Sequence, residues 1–220
     1  MKKFVFVVAA VFAATPVLAG PFGLSQGLPL EEIRKAGTFV AAQTDYTYEA
    51  KRLAQGTPDF DSYSVLATPK QGLCRIVAFS GDLYTDGYGR QLKTRFHELT
   101  SALAGKYGTP RVSLDISKTI DLSRNFGFWN LGGIGIDDSD WMDALLLRKR
   151  QLSAEWQGDT SYGDPVGMAG SAGGLPDSLA SIALEGRARS ASSAYLRLEY
   201  RFRNYGECIT ELKAKRSANL

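Results

Sequence analysis

Only one stretch of this 220-residue chain sustains a long helical period, and it limits the folds open to everything around it. Leu92, Phe96, Leu99, Leu103 and Tyr107 recur at spacings of four and three, so they form one apolar stripe on a helix over 91–107. Lys93, Arg95, Glu98 and Lys106 fall away from most of that stripe, and Gly108 and Pro110 stop the helix. An apolar stripe needs a partner surface. The rest of the chain is rich in hairpin signals and lacks repeated strand-helix-strand crossovers, so the partner is expected to be an antiparallel sheet. The expected class is α+β: a mainly antiparallel sheet packed against one principal amphipathic helix, with shorter helices.

The strand signals are local and consistent. Residues 63–68 and 74–79, rich in β-branched, aromatic and small apolar side chains, flank Pro69-Lys70-Gln71-Gly72 and predict a hairpin. Residues 38–50 predict one or two further strands, and Gly56-Thr57-Pro58-Asp59 a turn. Over 150–156, Leu152, Ala154 and Trp156 share one face. Near the C-terminus, 179–187, 195–202 and 207–213 read as three strands. In the middle one, Tyr195, Arg197, Glu199 and Arg201 alternate with Leu196, Leu198, Tyr200 and Phe202, which predicts one core face and one charged face. Shorter helices are expected near 29–36, where acids precede bases and Gly37 follows, and near 140–149. Asp137, Asp138, Asp140 and Asp143 fit the capped start of the latter helix, with weak calcium binding as the alternative, and lack the spacing of an EF-hand loop. Residues 158–176 hold six glycines in nineteen positions and read as a loop, and 214–220 as a loose tail.

The N-terminus predicts where the chain works. Lys2 and Lys3 precede an apolar run over 4–14, and Val17-Leu18-Ala19 fits a small-residue cleavage site before Gly20. The expectation is an export signal over 1–19 and one globular domain over 20–220, the alternative being two halves at 21–108 and 109–213. The apolar run is shorter than the roughly 20 residues that span a bilayer, so no stable membrane insertion is expected after cleavage. Without Lys2 and Lys3 the chain carries 24 basic and 23 acidic residues, a formal charge of +1. That balance argues against nucleic acid as a partner, because phosphates demand clustered positive charge. A periplasmic or secreted protein can oxidise its thiols. Cys74 and Cys208, the only two cysteines, are therefore expected to form a disulfide if their segments are neighbouring strands, with two buried free thiols as the alternative.

Reactive constellations are weak. His97 is the sole histidine and lies inside the 91–107 helix beside Glu98, where it reads first as a helix-surface residue; a hydrolase would need a nucleophile and a carboxylate to converge on it. No metal-ligand spacing, catalytic set or cofactor motif emerges, and Gly105-Lys106-Tyr107-Gly108 lacks the spacing of a phosphate loop. Phe126, Phe128 and Trp129 alternate with small or polar residues before Gly132-Gly133. They read either as core anchors or, with Tyr84, Tyr88 and the 158–176 loop, as an exposed recognition rim.

Phe22-Gly23-Leu24, Gly27 before Glu31-Glu32-Ile33, Pro69-Lys70-Gln71-Gly72-Leu73-Cys74, the helix ending Lys106-Tyr107-Gly108, and 200–208 together resemble an uncharacterised group of small exported bacterial proteins. The resemblance spans much of the chain after the export signal and implies neither a ligand nor catalytic residues. Three roles follow from the sequence. The first is a non-enzymatic envelope binding protein that recognises or inhibits an envelope or extracellular protein. The others are a His97-dependent hydrolase of an envelope substrate and a structural envelope component.

Overall fold

A computed structural model describes residues 20–110, 112–117, 140–158 and 174–218. Among the described residues, nine strands form one antiparallel sheet: β1 (Val40–Ala41), β2 (Thr47–Ala50), β3 (Ser62–Thr68), β4 (Gly72–Phe79), β5 (Leu83–Tyr84), β6 (Val112–Ser117), β7 (Arg150–Gln157), β8 (Leu179–Ser190) and β9 (Ser193–Phe202). Their spatial order is β1-β2-β3-β4-β9-β8-β7-β6, with β5 continuing the row of β4 along the start of β9. Among the described residues, four α-helices join them: α1 (Leu30–Ile33), α2 (Arg90–Tyr107), α3 (Trp141–Leu146) and α4 (Tyr205–Ala218). The fold is therefore α+β, with α2 the longest helix at 18 residues. β4 pairs with β9, so residues on either side of position 108 meet in the middle of one sheet.

Strand alternation gives the sheet two different faces. On one, Leu196, Leu198, Tyr200 and Phe202 of β9 lie beside Ile182 and Leu184 of β8 and Ile76 and Ala78 of β4, all buried. Leu152, Ala154 and Trp156 extend that surface through β7, as expected of 150–156. α2 joins the same core with Leu92, Phe96, Leu103 and Tyr107 buried and Leu99 partly buried, so the stripe read from the sequence is the packing face. Trp141, Met142 and Leu145 of α3 complete the layer. Each large apolar side chain so buried contributes about 1.5–3 kcal/mol. Trp156 also donates its indole N–H to the Gly108 carbonyl at 2.6 Å, tying β7 to the end of α2.

The 207–213 segment is not a strand. It lies within α4, where Tyr205, Cys208, Ile209 and Leu212 recur at helical spacing; Tyr205, Cys208 and Ile209 pack with Leu66 and Cys74, and Leu212 is buried. A seven-residue window is too short to separate the two periods. Glu207, Glu211, Lys213 and Lys215, all good helix formers, carry the helix on through residues expected to be loose. The 140–149 helix stops at Leu146, after which Arg148 adopts a φ of 56° and the chain enters β7 at Arg150.

Gly72 shows how tightly the N-terminal segment is laid on the sheet. Its φ is +63°, and an added Cβ would run into the Gly27 carbonyl. The approach is close because Gly27 N–H donates to Leu73 O and Leu73 N–H to Leu28 O, each at 2.9 Å. Gly72→Ala is expected to cost about 1–3 kcal/mol from the backbone alone, read as a lower urea midpoint at unchanged m. An unchanged midpoint would show that the positive φ at position 72 carries no such cost and that residues 27 and 28 shift aside freely.

Candidate functional site

The link between β5 and α2 presents the two tyrosines singled out from the sequence. Tyr84 is 80% exposed and Tyr88 41% exposed. The link itself is held on three sides. Thr85 N–H donates to Ser192 O at 3.0 Å, the Thr85 hydroxyl to Gln91 Oε1 at 2.8 Å, and Met142 N–H of α3 to Gly87 O at 2.9 Å. Asp86 Oδ1 accepts from Arg90 N–H at 3.0 Å, which turns the chain into α2. Gly89, at a φ of +69°, sits against the Trp141 ring where a Cβ would not fit. The Arg90 guanidinium lies 4.8 Å from the Tyr88 ring centroid and pairs with Asp86 at 3.3 Å. Two aromatic rings thus project from a backbone with little freedom to move. Phe126, Phe128 and Trp129 lie outside the described residues, as does most of the 158–176 loop.

The second face of the sheet carries the charges expected from β9. Arg187 Nη2 and Arg197 Nη1 reach Glu185 Oε2 at 2.7 and 3.3 Å, Arg197 also pairs with Glu199, and Arg201 Nε meets Glu199 Oε1 at 2.6 Å. The result is a ladder, Arg187–Glu185–Arg197–Glu199–Arg201, across β8 and β9. The Glu199 side chain is only 2% exposed. Burial pushes its carboxyl pKa up, but the guanidinium groups of Arg201 and Arg197 outweigh burial and hold it below the ordinary glutamate value. With both oxygens engaged, Glu199 is an ionised structural carboxylate, ill-suited to shuttling protons. Arg201 and Arg75 then approach the Tyr205 ring at 5.3 and 6.0 Å from its centroid. Arg75 and Tyr205 were invisible as partners in the sequence, since only the β4–β9 register and the turn into α4 bring them together.

α4 covers one end of this charged face, fastened by a Cys74–Cys208 disulfide with Cα atoms 6.5 Å apart. The expected bond is present, but it joins a strand to a helix rather than two strands. Asn204 Nδ2 donates to Gln71 O at 2.9 Å and Leu73 O at 3.1 Å, and Glu211 Oε1 accepts from Lys70 N–H at 3.3 Å. At the far end of α4, Lys215 pairs with Asp45 at 2.8 Å and lies over the Tyr46 ring at 4.3 Å.

His97 is exposed on α2 with its ring edge toward Phe96, 5.9 Å between centroids. Among the described residues it makes no hydrogen bond to a hydroxyl or carboxylate. Nor do three or more His, Cys, Asp or Glu side chains gather there as metal ligands, and no described helix is long and apolar enough to cross a membrane. Asp140 occupies the N-cap position of α3 without a side-chain capping bond, and Asp137 and Asp138 lie outside the described residues. Comparison with known proteins finds no matching family model, curated protein or solved structure.

Proposed function

We propose that this chain is a non-enzymatic binding protein of the cell envelope or extracellular space, and that it recognises or inhibits a protein partner through the surface around Tyr84 and Tyr88. The observation that carries the reading is a tyrosine 80% exposed at the end of β5, next to a link hydrogen-bonded to the turn before β9, to α2 and to α3. Tyrosine supplies a large contact area and a hydroxyl at small cost in side-chain entropy, and anchors of this type dominate protein interfaces. A pinned backbone lowers the ordering cost further. The apolar N-terminal run with its cleavage pattern and the disulfide support an oxidising compartment outside the cytoplasm.

The test is crosslinking in the native envelope from a photoreactive residue at position 84, followed by binding of the captured protein in purified form. The Tyr84→Ala, Tyr88→Ala double variant is expected to weaken that binding by at least about 30-fold, roughly 2 kcal/mol, with its melting temperature unchanged because both side chains are exposed. Equal binding by the double variant would move the interface elsewhere. Reproducible absence of any partner, with His97-dependent turnover of an envelope substrate, would overturn the role itself.

A further inference from the structure

Between β2 and β3 the chain leaves the sheet for residues 51–61 and encloses a cleft of about 540 Å³. We propose that this cleft binds a carboxylate carried on a short apolar group, the chemistry of a peptide's free carboxyl terminus or of a small organic acid.

The walls are preformed. Ala54 N–H donates to Ala36 O at 2.7 Å, Gly56 N–H to Leu53 O at 3.0 Å and Asp61 N–H to Phe79 O at 2.9 Å, so the loop is fixed to its neighbours at both ends. Leu53, Phe60 and Tyr63 line the cleft and are 8%, 6% and 2% exposed, giving it an apolar aromatic floor. Phe22 backs that floor with edge-on contacts to Phe60 and Tyr63, at 6.0 and 5.1 Å between centroids. Burial raises the pKa of the Tyr63 hydroxyl, which therefore remains a neutral group at the back of the site.

The charges select the ligand. Lys51 and Arg52 both line the cleft, which a bend at Lys51 makes possible for successive residues. Both are exposed, and among the described residues neither has an ion pair or side-chain hydrogen bond. The nearby acid Asp59 does not neutralise them, because it is paired with Arg95 of α2. Asp61 is the one acid in the lining. Two cations against one acid favour a monoanion, while the carboxylate of Asp61 repels a phosphate dianion and can accept an N–H from the ligand. A guanidinium matches a carboxylate through two parallel hydrogen bonds. The apolar group attached to that carboxylate would then rest on Phe60, Leu53 and Pro58.

Calorimetry on the exported, disulfide-bonded chain with acetyl-Gly-Phe, its C-terminal amide and benzoate tests this. The free acid is expected to bind with a Kd of about 1 mM or tighter, and the amide at least about tenfold more weakly. Raising the salt concentration should weaken the acid and leave the amide unchanged. Lys51→Gln and Arg52→Gln should each weaken the acid by about tenfold at an unchanged melting temperature, being surface changes. Tyr84→Ala should leave it alone, which separates this site from the tyrosine surface. Benzoate binding as tightly as the peptide acid would identify small organic acids as the source; binding of the peptide acid alone would identify a chain terminus. Equal affinity for acid and amide, full binding by the Lys51→Gln, Arg52→Gln double variant, or no saturable binding up to about 10 mM would each overturn the proposal.

Discussion

Replacing Cys208 with serine is expected to lower the unfolding free energy by about 2–5 kcal/mol. The bond closes a loop with a sequence separation of 134. The chain-entropy model gives about 5 kcal/mol for a closure of that length, an upper value because unfolded chains retain structure and native geometry adds its own terms. The local setting adds to the effect. Cys74 and Cys208 are both fully buried, and serine would place a hydroxyl among Leu66, Tyr205 and Ile209. α4 would still be held by Asn204, Glu211 and Lys215, but two of those contacts involve exposed or part-exposed groups that contribute little each. Urea unfolding of oxidised wild type, reduced wild type and Cys208→Ser checks the magnitude. Reduced wild type should fall most of the way to the variant, because the same cross-link is missing from both and only the variant buries an added hydroxyl. A Cys74→Ala, Cys208→Ala pair should cost far less than twice the single change, since the bond is lost only once. Limited proteolysis should then cut first within 205–218. A loss under about 0.5 kcal/mol would mean that packing alone seats α4.

The parts of this fold legible in sequence are those whose evidence is local. The α2 stripe runs about four turns with Leu92, Phe96, Leu103 and Tyr107 buried, so its period is unambiguous. The β3–β4 hairpin carries its own turn, and β8 and β9 alternate long enough to define their faces. α4 is less legible, because the window 207–213 is too short to fix its period. Its helical stripe emerges only when Tyr205 is counted with Cys208, Ile209 and Leu212. Tyr84 and Tyr88 could be named from sequence, but the link between them is fixed by Gly87 accepting from Met142, a residue more than fifty positions away. The 51–61 cleft left still less trace. Its floor residues, Leu53, Phe60 and Tyr63, follow no period, and only the anchoring of the loop to Ala36 and Phe79 lines them up. The burial of Glu199 was similarly hidden. Alternation placed it correctly on the charged face, yet a strand pattern does not say which charged residue the neighbouring guanidinium groups will cover.

Glu199→Ala is expected to destabilise the protein by about 3 kcal/mol, near the lower end of the 3–5 kcal/mol typical of breaking a buried pair. The full penalty is avoided because the stranded cations are not equally stranded. Arg197, 22% exposed, keeps Glu185 at 3.3 Å, and Arg201, 46% exposed, can turn its guanidinium into water. Glu199→Gln isolates the charge from the packing and makes the effect a function of pH. An unfolded glutamate titrates near about 4.3, whereas Arg201 and Arg197 hold the folded carboxyl lower despite its burial. A carboxyl lowered on folding stabilises fully above its unfolded value and loses that contribution as pH falls through the folded value. Wild-type stability measured by urea between pH 7 and pH 2 should therefore decline below about pH 4.3 more steeply than that of Glu199→Gln. At neutral pH the variant should already be the weaker, and the two curves should converge toward the acid end, where wild type has lost the same charge. Parallel curves over the whole range would show that Glu199 is not held as an ion by its two arginines, and the ladder on the second face of the sheet would then have to be stabilised by side-chain packing alone.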